Sequence, residues 1–164
     1  MRALAAKTLP FVVLSLLTSE SIAQQPVSAF NGVWHQFEVR VVRPDSTYMR
    51  PPNPQAVSIL FDGHFSNFAI ASGPTGVQQA SRPTTVEEKA ARYDVLTANE
   101  GTFTVRDSTV TARYDYAKNP AAVSTKFSQH YRLVGDTLWN TSVTPWATDT
   151  TKRVRTTIKW VRQK

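Results

Sequence analysis

The chain has 164 residues, and its 19 lysine and arginine residues outnumber its 12 acidic residues, which gives a formal net charge of +7 at neutral pH. It contains no cysteine, and this excludes disulfide bonds, thiolate catalysis and cysteine-ligated metal sites. The length is that of one domain, large enough to bury a single core without crosslinks or metals.

Residues 1–23 have the pattern of a cleavable export signal. Arg2 and Lys7 form a short positive head, an apolar run follows from Leu9 to Leu17, and small residues near Ala23 suit cleavage after that position. The apolar run is about half as long as the roughly twenty residues that a membrane-spanning helix needs. We therefore predict an exported protein, periplasmic or secreted, with no transmembrane span.

Behind this signal, residues 24–31 are predicted to form a loose leader and residues 32–164 one domain. The domain alternates short apolar segments with turn residues, a pattern typical of an antiparallel barrel or sandwich. Tight turns are predicted at Asp62-Gly63, Asp107 and Gly135-Asp136, because these residue types tolerate a positive φ. Eight strands are predicted, over residues 33–43, 57–61, 64–70, 102–106, 108–116, 126–134, 137–143 and 152–162.

One short helix is predicted between the third and fourth of these strands. Thr85 and Glu88 have the spacing of a capping box, in which each side chain accepts a hydrogen bond from the other residue's backbone. Good helix formers follow, and Val86, Ala90 and Tyr93 are spaced to form one apolar stripe. The sequence therefore predicts a helix of about three turns.

The fold class follows from the order and spacing of the strands. Consecutive antiparallel strands joined by short turns favour closure into an eight-stranded up-and-down barrel, since closure removes the exposed edges of a flat sheet. A two-sheet β-sandwich is the alternative. A barrel of eight strands has an interior that holds either packed side chains or one small ligand.

Several short motifs resemble, in order along the chain, those of the bacterial lipocalin-like domain family. The resemblance covers residues 30–162 and implies a small exported barrel that has room for a cavity, without naming a ligand or any reaction. The motifs that carry it are Gly32-Val33-Trp34, which is similar to the Gly-x-Trp that opens the first lipocalin strand, Asp62-Gly63-His64-Phe65-Ser66, Ala98-Asn99-Glu100-Gly101-Thr102-Phe103, Asn119-Pro120 and Gly135-Asp136-Thr137-Leu138.

The sequence of the first strand allows either of its two faces to point into the barrel. Its apolar residues at period two are Val33, Phe37, Val39 and Val41. If Trp34 points inward instead, strict alternation also places Glu38 and Arg40 inside, as a costly buried ion pair that would mark a polar functional cavity. A bulge just after Trp34, or a Trp34 that plugs the barrel end, would return the apolar set to the core. We expect one of these two solutions, because an apolar set at period two usually marks the core face.

Inward-facing aromatic residues are the expected ligand-binding set, since such side chains line apolar pockets while a tyrosine hydroxyl fixes a polar end. No cofactor and no metal are expected, because His35, His64 and His130 do not have the spacing of metal ligands. The predicted ligand-binding residues are Trp34, Phe37, Phe65, Tyr114, Phe127, Tyr131 and Trp160.

Three functions compete at this point. The first is the binding of a small hydrophobic molecule inside the barrel. The second is a small-barrel enzyme of the isomerase or cyclase type, which would use Glu38 as acid and base with Arg40 and Tyr131 as neighbours, although no catalytic motif accompanies them. The third is an envelope interaction module with a filled barrel.

The C-terminal strand is strongly basic. After Asp149 there is no acidic residue, whereas six of the remaining residues are lysine or arginine. Such a strand could make weak contact with an anionic surface. Nucleic acid is not an expected partner, because export would separate the protein from it.

Overall fold

The computed structural model of the chain describes residues 25–70 and 85–164. The predicted export signal at residues 1–23 lies outside these ranges. Within them, no helix has the length and hydropathy of a membrane-spanning segment. The elements are two short 3₁₀ helices at Val27–Phe30 and Pro120–Ala122, one α-helix, α1 (Val86–Val95), and the strands β1 (Gly32–Val42), β2 (Thr47–Arg50), β3 (Val57–Phe61), β4 (His64–Ile70), β5 (Leu96–Arg106), β6 (Thr109–Ala117), β7 (Lys126–Val134), β8 (Thr137–Trp146) and β9 (Asp149–Arg162).

The strands form one antiparallel sheet that closes on itself. Its order is β2-β1-β3-β4-β5-β6-β7-β8-β9, and an additional pairing of β1 with β9 closes eight of the nine strands into a ring. The predicted eight-stranded up-and-down barrel, the architecture of lipocalins, is confirmed, and the sandwich alternative is wrong. The predicted helix is also confirmed. It lies between β4 and β5, which correspond to the third and fourth of the predicted strands.

β2 is the strand that the sequence did not predict, and it belongs to a sheet extension beyond the ring. The first half of β1 pairs with β3, whereas residues 39–42 pair with β2. On the other side, residues 142–146 of β8 pair only with β9. Residues 39–42, 47–50, 142–146 and 149–157 therefore continue as a four-stranded sheet, which we call the sheet extension.

Three hairpin turns and the N-terminal 3₁₀ helix gather at one end of the barrel, which we call the closed end. Asp62 and Gly63 have φ angles of 47° and 79°, as a two-residue turn that follows the strand twist requires. The backbone N–H of Asp62 donates to Asn31 Oδ1 at 2.9 Å. Part of the segment predicted to be a loose leader is thus an ordered cap, and its Phe30 is only 1% exposed.

A bulge in β1 resolves the competition between its two faces. Gln36 pairs with Trp160, but Glu38 pairs with Lys159, so Phe37 is an extra residue that reverses the alternation. Before it Trp34 is 0% exposed, and after it the valines at 39 and 41 are buried. The predicted bulge is confirmed, although it lies at Phe37 and not directly after Trp34. Glu38 and Arg40 then avoid the core.

The helix α1 begins with the predicted capping box. Thr85 Oγ1 accepts a hydrogen bond from the Glu88 N–H at 3.1 Å, and the Glu88 carboxylate accepts one from the Thr85 N–H at 3.2 Å. The predicted apolar stripe is not packed, because no helix residue is buried. The helix is instead attached at its C-terminal end, where the Tyr93 hydroxyl donates to the Lys118 carbonyl at 3.2 Å.

Candidate functional site

The interior of the barrel contains a cavity of about 280 Å³ that is partly open to solvent. At the closed end its floor is formed by Phe30, Trp34 and Phe103, all of which are buried in the core. The cavity extends from there to Ala69 in β4 and Thr97 in β5, near the opposite ends of the strands. The interior is therefore only partly filled by side chains, and its hollow part extends from the closed end toward the opposite end of the barrel.

Three aromatic rings from β4, β6 and β7 form one wall of the cavity. The centroid of Phe65 lies 5.8 Å from that of Tyr114 and 6.5 Å from that of Phe127, with steeply inclined planes in both pairs. The rings of Tyr114 and Phe127 are 4.9 Å apart. Edge-to-face packing of this kind fixes the rings relative to one another, so the wall presents a preformed apolar surface.

The remaining lining residues are apolar or carry uncharged polar groups. No charged side chain lines the cavity within the part of the chain that the structure describes. The carboxamide side chains among the lining residues are Gln36, Asn67, Asn99, Gln129 and Asn140.

Several of these carboxamides already have partners within the protein. Asn67 Nδ2 donates to Asn99 Oδ1 at 3.1 Å, and Gln36 Oε1 accepts from the Asn53 backbone N–H at 3.0 Å. In contrast, Asn140 Oδ1 and the indole N–H of Trp160 are buried and have no hydrogen-bond partner among the described residues. Both residues line the cavity. Each of these two lining residues therefore carries one buried polar atom that no other described residue satisfies.

The only phenol that lines the cavity within the described residues belongs to Tyr114. Burial raises the pKa of this phenol above its ordinary value of 10.0. The group is consequently protonated at neutral pH. Its hydroxyl can donate and accept a hydrogen bond without adding charge to the cavity.

The structure brings five of the seven predicted ligand-binding residues together at the cavity. They come from five different strands, β1, β4, β6, β7 and β9, and their side chains share the inner face of the ring. These five residues are Trp34, Phe65, Tyr114, Phe127 and Trp160.

The other two predicted ligand-binding residues, Phe37 and Tyr131, lie outside the cavity lining. Phe37 is 56% exposed because the bulge turns it to the outer surface, where the Lys159 ammonium lies 4.5 Å from its ring centroid. Tyr131 faces inward but sits at the closed end. Its ring packs 4.9 Å from that of Phe30, and its hydroxyl donates to the Asp107 carbonyl at 2.9 Å.

The acid–base constellation considered for an enzyme is not assembled in the cavity. Glu38 is half-buried, is absent from the cavity lining and pairs with Lys159 across the β1–β9 ladder. Arg40 is exposed on the sheet extension, and Tyr131 lies at the closed end. The bulge at Phe37 is the physical reason, because it turns the charged residues of β1 away from the interior.

The three histidines lie apart from one another. His64 and His130 are exposed, and the His35 ring nitrogen Nε2 shares a hydrogen bond of 2.9 Å with Gln163. Across residues 25–70 and 85–164, no group of three metal-ligating side chains occurs.

The carboxamides were missed by sequence reasoning, although the chain carries a signal for them. Asn67 follows inward-facing Phe65 by two residues, and Asn140 follows buried Leu138 by two residues. Since side chains alternate along a strand, a polar residue in phase with an inward apolar one also faces inward. These carboxamides could have been identified as the polar residues that lie an even number of positions from a core residue on the same strand.

Comparison with known proteins adds two solved structures of similar shape. No protein-family model and no curated protein sequence matches this chain. It is similar to a crystal structure described as a lipocalin-like protein from Bacteroides uniformis, at 10% sequence identity and a TM-score of 0.46, over 82% of this chain and 99% of that one. It is also similar to an uncharacterized protein from Bacteroides eggerthii, at 10% identity and a TM-score of 0.44, over 81% of this chain and 98% of that one.

Proposed function

We propose that this protein binds a small, mainly apolar and uncharged molecule in its barrel. The observation that carries the proposal is a cavity of about 280 Å³ with an aromatic wall and, among the described residues, no charged lining side chain. An apolar cavity of about 150 Å³ binds benzene. The volume here therefore suits a molecule of roughly bicyclic size, at the lower end of ordinary ligand pockets.

A charge placed inside the cavity tests the proposal. We expect the neutral bicyclic dye 1-naphthylamine to bind saturably to the purified protein, with a change in dye fluorescence. Phe127→Glu adds a charge to the aromatic wall and should abolish binding, because an unpaired ion in an apolar site is costly. Phe37→Glu adds the same charge to the outer surface and is the matched control.

Two results would contradict cavity binding. One is the absence of saturable binding across a panel of neutral apolar dyes. The other is an equal loss of binding in Phe37→Glu and Phe127→Glu, which would place the dye on the outer surface. Far-ultraviolet circular dichroism establishes that each variant is folded. If Phe127→Glu does not fold, Phe127→Ala provides a second test, since a larger cavity should change the dye affinity while the control does not.

Export is part of the same proposal and is supported by the sequence pattern of residues 1–23 alone. Expression of the full chain in a Gram-negative bacterium, followed by mass spectrometry of the N-terminus, tests it. We expect a chain that begins at Gln24 in the periplasm or the medium. An intact N-terminus in the cytoplasm would contradict export without affecting ligand binding.

A second candidate function is supported by the outer face of the sheet extension. The strand register puts Arg40 beside Met49, and Arg155 beside Val42 and Val143. The arginines, Met49 and Val143 are all exposed. Basic residues interleaved with exposed apolar ones suit an anionic membrane surface, where charge attraction and shallow apolar contact act together. We propose weak binding of this face to anionic lipid.

Vesicle co-sedimentation tests this second candidate. The protein should bind vesicles that contain phosphatidylglycerol, should not bind pure phosphatidylcholine, and should dissociate as salt is added. Arg155→Glu on the extension should weaken binding, whereas Arg106→Glu at the closed end makes the same charge change elsewhere and should not. Equal effects of the two changes would exclude the extension as the contact surface.

A further inference from the structure

The outer surface of the barrel is apolar over β3 and β4. Ile59 and Phe61 in β3, and Phe68 and Ile70 in β4, alternate with inward-facing residues and therefore point outward. Phe61 is 67% exposed, Phe68 is 49% exposed, and both isoleucines are exposed as well. Ile59 pairs with Ser66, so Phe68 is its diagonal neighbour and within reach of it. We call Ile59, Phe61, Phe68 and Ile70 the apolar outer patch.

This patch differs from the usual outer face of a sheet in water. An antiparallel sheet with one solvated face alternates apolar residues with polar ones, and β5 does so, with Glu100, Thr102 and Thr104 on its outer face. In contrast, β3 and β4 contain no aspartate, glutamate, lysine or arginine. Their composition is typical of strands that are covered on both faces.

The exposed apolar area is that of a contact site. A phenylalanine side chain offers about 150–250 Å², so two rings that are half to two-thirds exposed contribute roughly 200–300 Å², and the two isoleucines add to this. Contiguous apolar patches larger than a few hundred Å² mark contacts with proteins or membranes. Together with a polar rim, the patch suits an interface of less than about 600 Å² per partner, the size of a weak association.

The charges that adjoin the patch favour a second copy of the protein over an anionic membrane. In the ladder of β1, β3, β4 and β5, these charges are acidic, because Asp62 follows Phe61 in the turn and Glu100 pairs with Ser66. Acidic residues are repelled by anionic lipid, which attracts basic ones. The patch itself is uncharged, so two copies can meet there without like charges at the centre.

A two-fold axis parallel to the strands also separates the acidic flanks. Val33, Ile59, Ser66 and Glu100 lie in one row across β1, β3, β4 and β5. The axis lays the β5 flank of one protomer over the β1 flank of its partner, so Glu100 faces the row of Val33 and not a second Glu100. The strands of both sheets then run in nearly the same direction, as in the aligned packing of sheets.

We propose that the protein forms a weak, two-fold symmetric dimer through the apolar outer patch of each copy. The interface is isologous, with the same four residues contributed by both protomers. This inference goes beyond the proposed function and does not depend on it, because the ligand cavity lies on the inner face of the barrel.

Sedimentation equilibrium of the purified protein at about 1–100 μM tests the proposal, since this range suits a weak interface. We expect a monomer–dimer equilibrium that shifts toward dimer as salt is added, because salt screens the repulsion between two copies with a net charge of +7 each. A monomer at every concentration would overturn the proposal. The chain that begins at Gln24 should also dimerise. Loss of the dimer on removal of residues 1–23 would assign the association to their apolar run and contradict the patch.

A charge placed in the patch supplies the second readout. Ile59→Lys should raise the dissociation constant at least about tenfold, because burying an unpaired charge is costly. Val134→Lys is the matched control, since Val134 is an exposed β-branched residue of β7, on the opposite side of the ring. Equal effects of the two changes would overturn the proposal. If circular dichroism shows that Ile59→Lys does not fold, Phe61→Lys at the exposed end of β3 replaces it.

The absence of cysteine from the chain allows the contact to be located with one introduced thiol. Ser66→Cys lies beside Ile59 in the ladder, and a short bismaleimide should link two copies of this variant. Ser128→Cys, exposed on β7, should remain unlinked. Equal linkage of both variants would contradict the two-fold contact. Binding of a monomer to neutral phosphatidylcholine vesicles, lost in Ile59→Lys, would identify lipid as the occupant and exclude the dimer.

Discussion

The guanidinium group of Arg162 lies over the indole ring of Trp34, with Cζ 4.6 Å from the ring centroid. Arg162 Nη2 donates to the Ala29 carbonyl at 2.7 Å, and Trp34 Nε1 donates to the Phe30 carbonyl at 2.8 Å. Two residues from the two strands that close the ring thus hold the same 3₁₀ helix. The closed end, on which the floor of the cavity depends, is fixed by this stack.

Removing the arginine should destabilise the barrel. Arg162→Ala deletes a cation–π contact and a charge-assisted hydrogen bond in a partly buried position, and we expect the free energy of unfolding to fall by about 2–3 kcal/mol. Arg155→Ala, an exposed position on the same strand, should change it by less than about 0.5 kcal/mol. Urea denaturation followed by tryptophan fluorescence measures both. Equal losses in the two variants would mean that the contacts of Arg162 at the closed end do not stabilise the fold.

The bulge in β1 predicts a large loss of stability for one phenylalanine substitution and a small loss for another. Phe65 is 5% exposed in the cavity wall, so Phe65→Ala should lower the free energy of unfolding by about 3–5 kcal/mol. Phe37 lies on the outer surface, and Phe37→Ala should cost less than about 1 kcal/mol. The two changes delete the same atoms and are each other's control in chemical denaturation. A large loss for Phe37→Ala would contradict the position of the bulge.

The barrel could be predicted from the sequence because its turns and alternation are local properties. The Asp62-Gly63 turn and the capping box at Thr85 each depend on a few neighbouring residues. The position of Phe37 could not be predicted, because a bulge adds one residue and is fixed by the pairing of β1 with β9, far apart in the chain. That Asn140 and Trp160 are neighbours could likewise not be predicted, since only the β8–β9 register brings them together.

A glycine in β5 is required by close approach to β6. The β5–β6 register shifts between Glu100 and Gly101, and a Cβ atom on Gly101 would collide with the backbone carbonyl of Arg113. Backbone atoms of a paired strand cannot yield as a flexible side chain can, so Gly101→Ala should lower the free energy of unfolding by at least about 3 kcal/mol.

Gly135→Ala is the control for this substitution. Nothing lies within 4 Å of a Cβ at Gly135, although its φ is +54°. The left-handed backbone alone should cost about 1–2 kcal/mol. Thermal or urea denaturation of the two variants compares a steric collision with a conformational preference. A smaller loss for Gly101→Ala than for Gly135→Ala would contradict the close approach of the strands.

Tyr114 should make the barrel sensitive to alkaline pH. Because burial raises the pKa of its phenol above the ordinary value of 10.0, the unfolded chain releases this proton at a lower pH than the folded protein does. Its contribution to stability is therefore fully present below pH 10.0 and is lost as the pH rises through the higher folded value. We expect the free energy of unfolding of the wild type to fall with pH in that range.

Tyr114→Phe isolates this effect, because it removes the titrating group and keeps the ring in the aromatic wall. The variant should lose stability less steeply than the wild type above pH 10.0, while the difference between the two proteins stays constant at lower pH. Burial also raises the pKa of Tyr131, so the variant should keep part of the slope. Urea denaturation at a series of pH values measures both curves. Parallel curves throughout the alkaline range would show that the Tyr114 phenol is as accessible to water in the folded barrel as in the unfolded chain, and the preformed apolar wall would then be wrong.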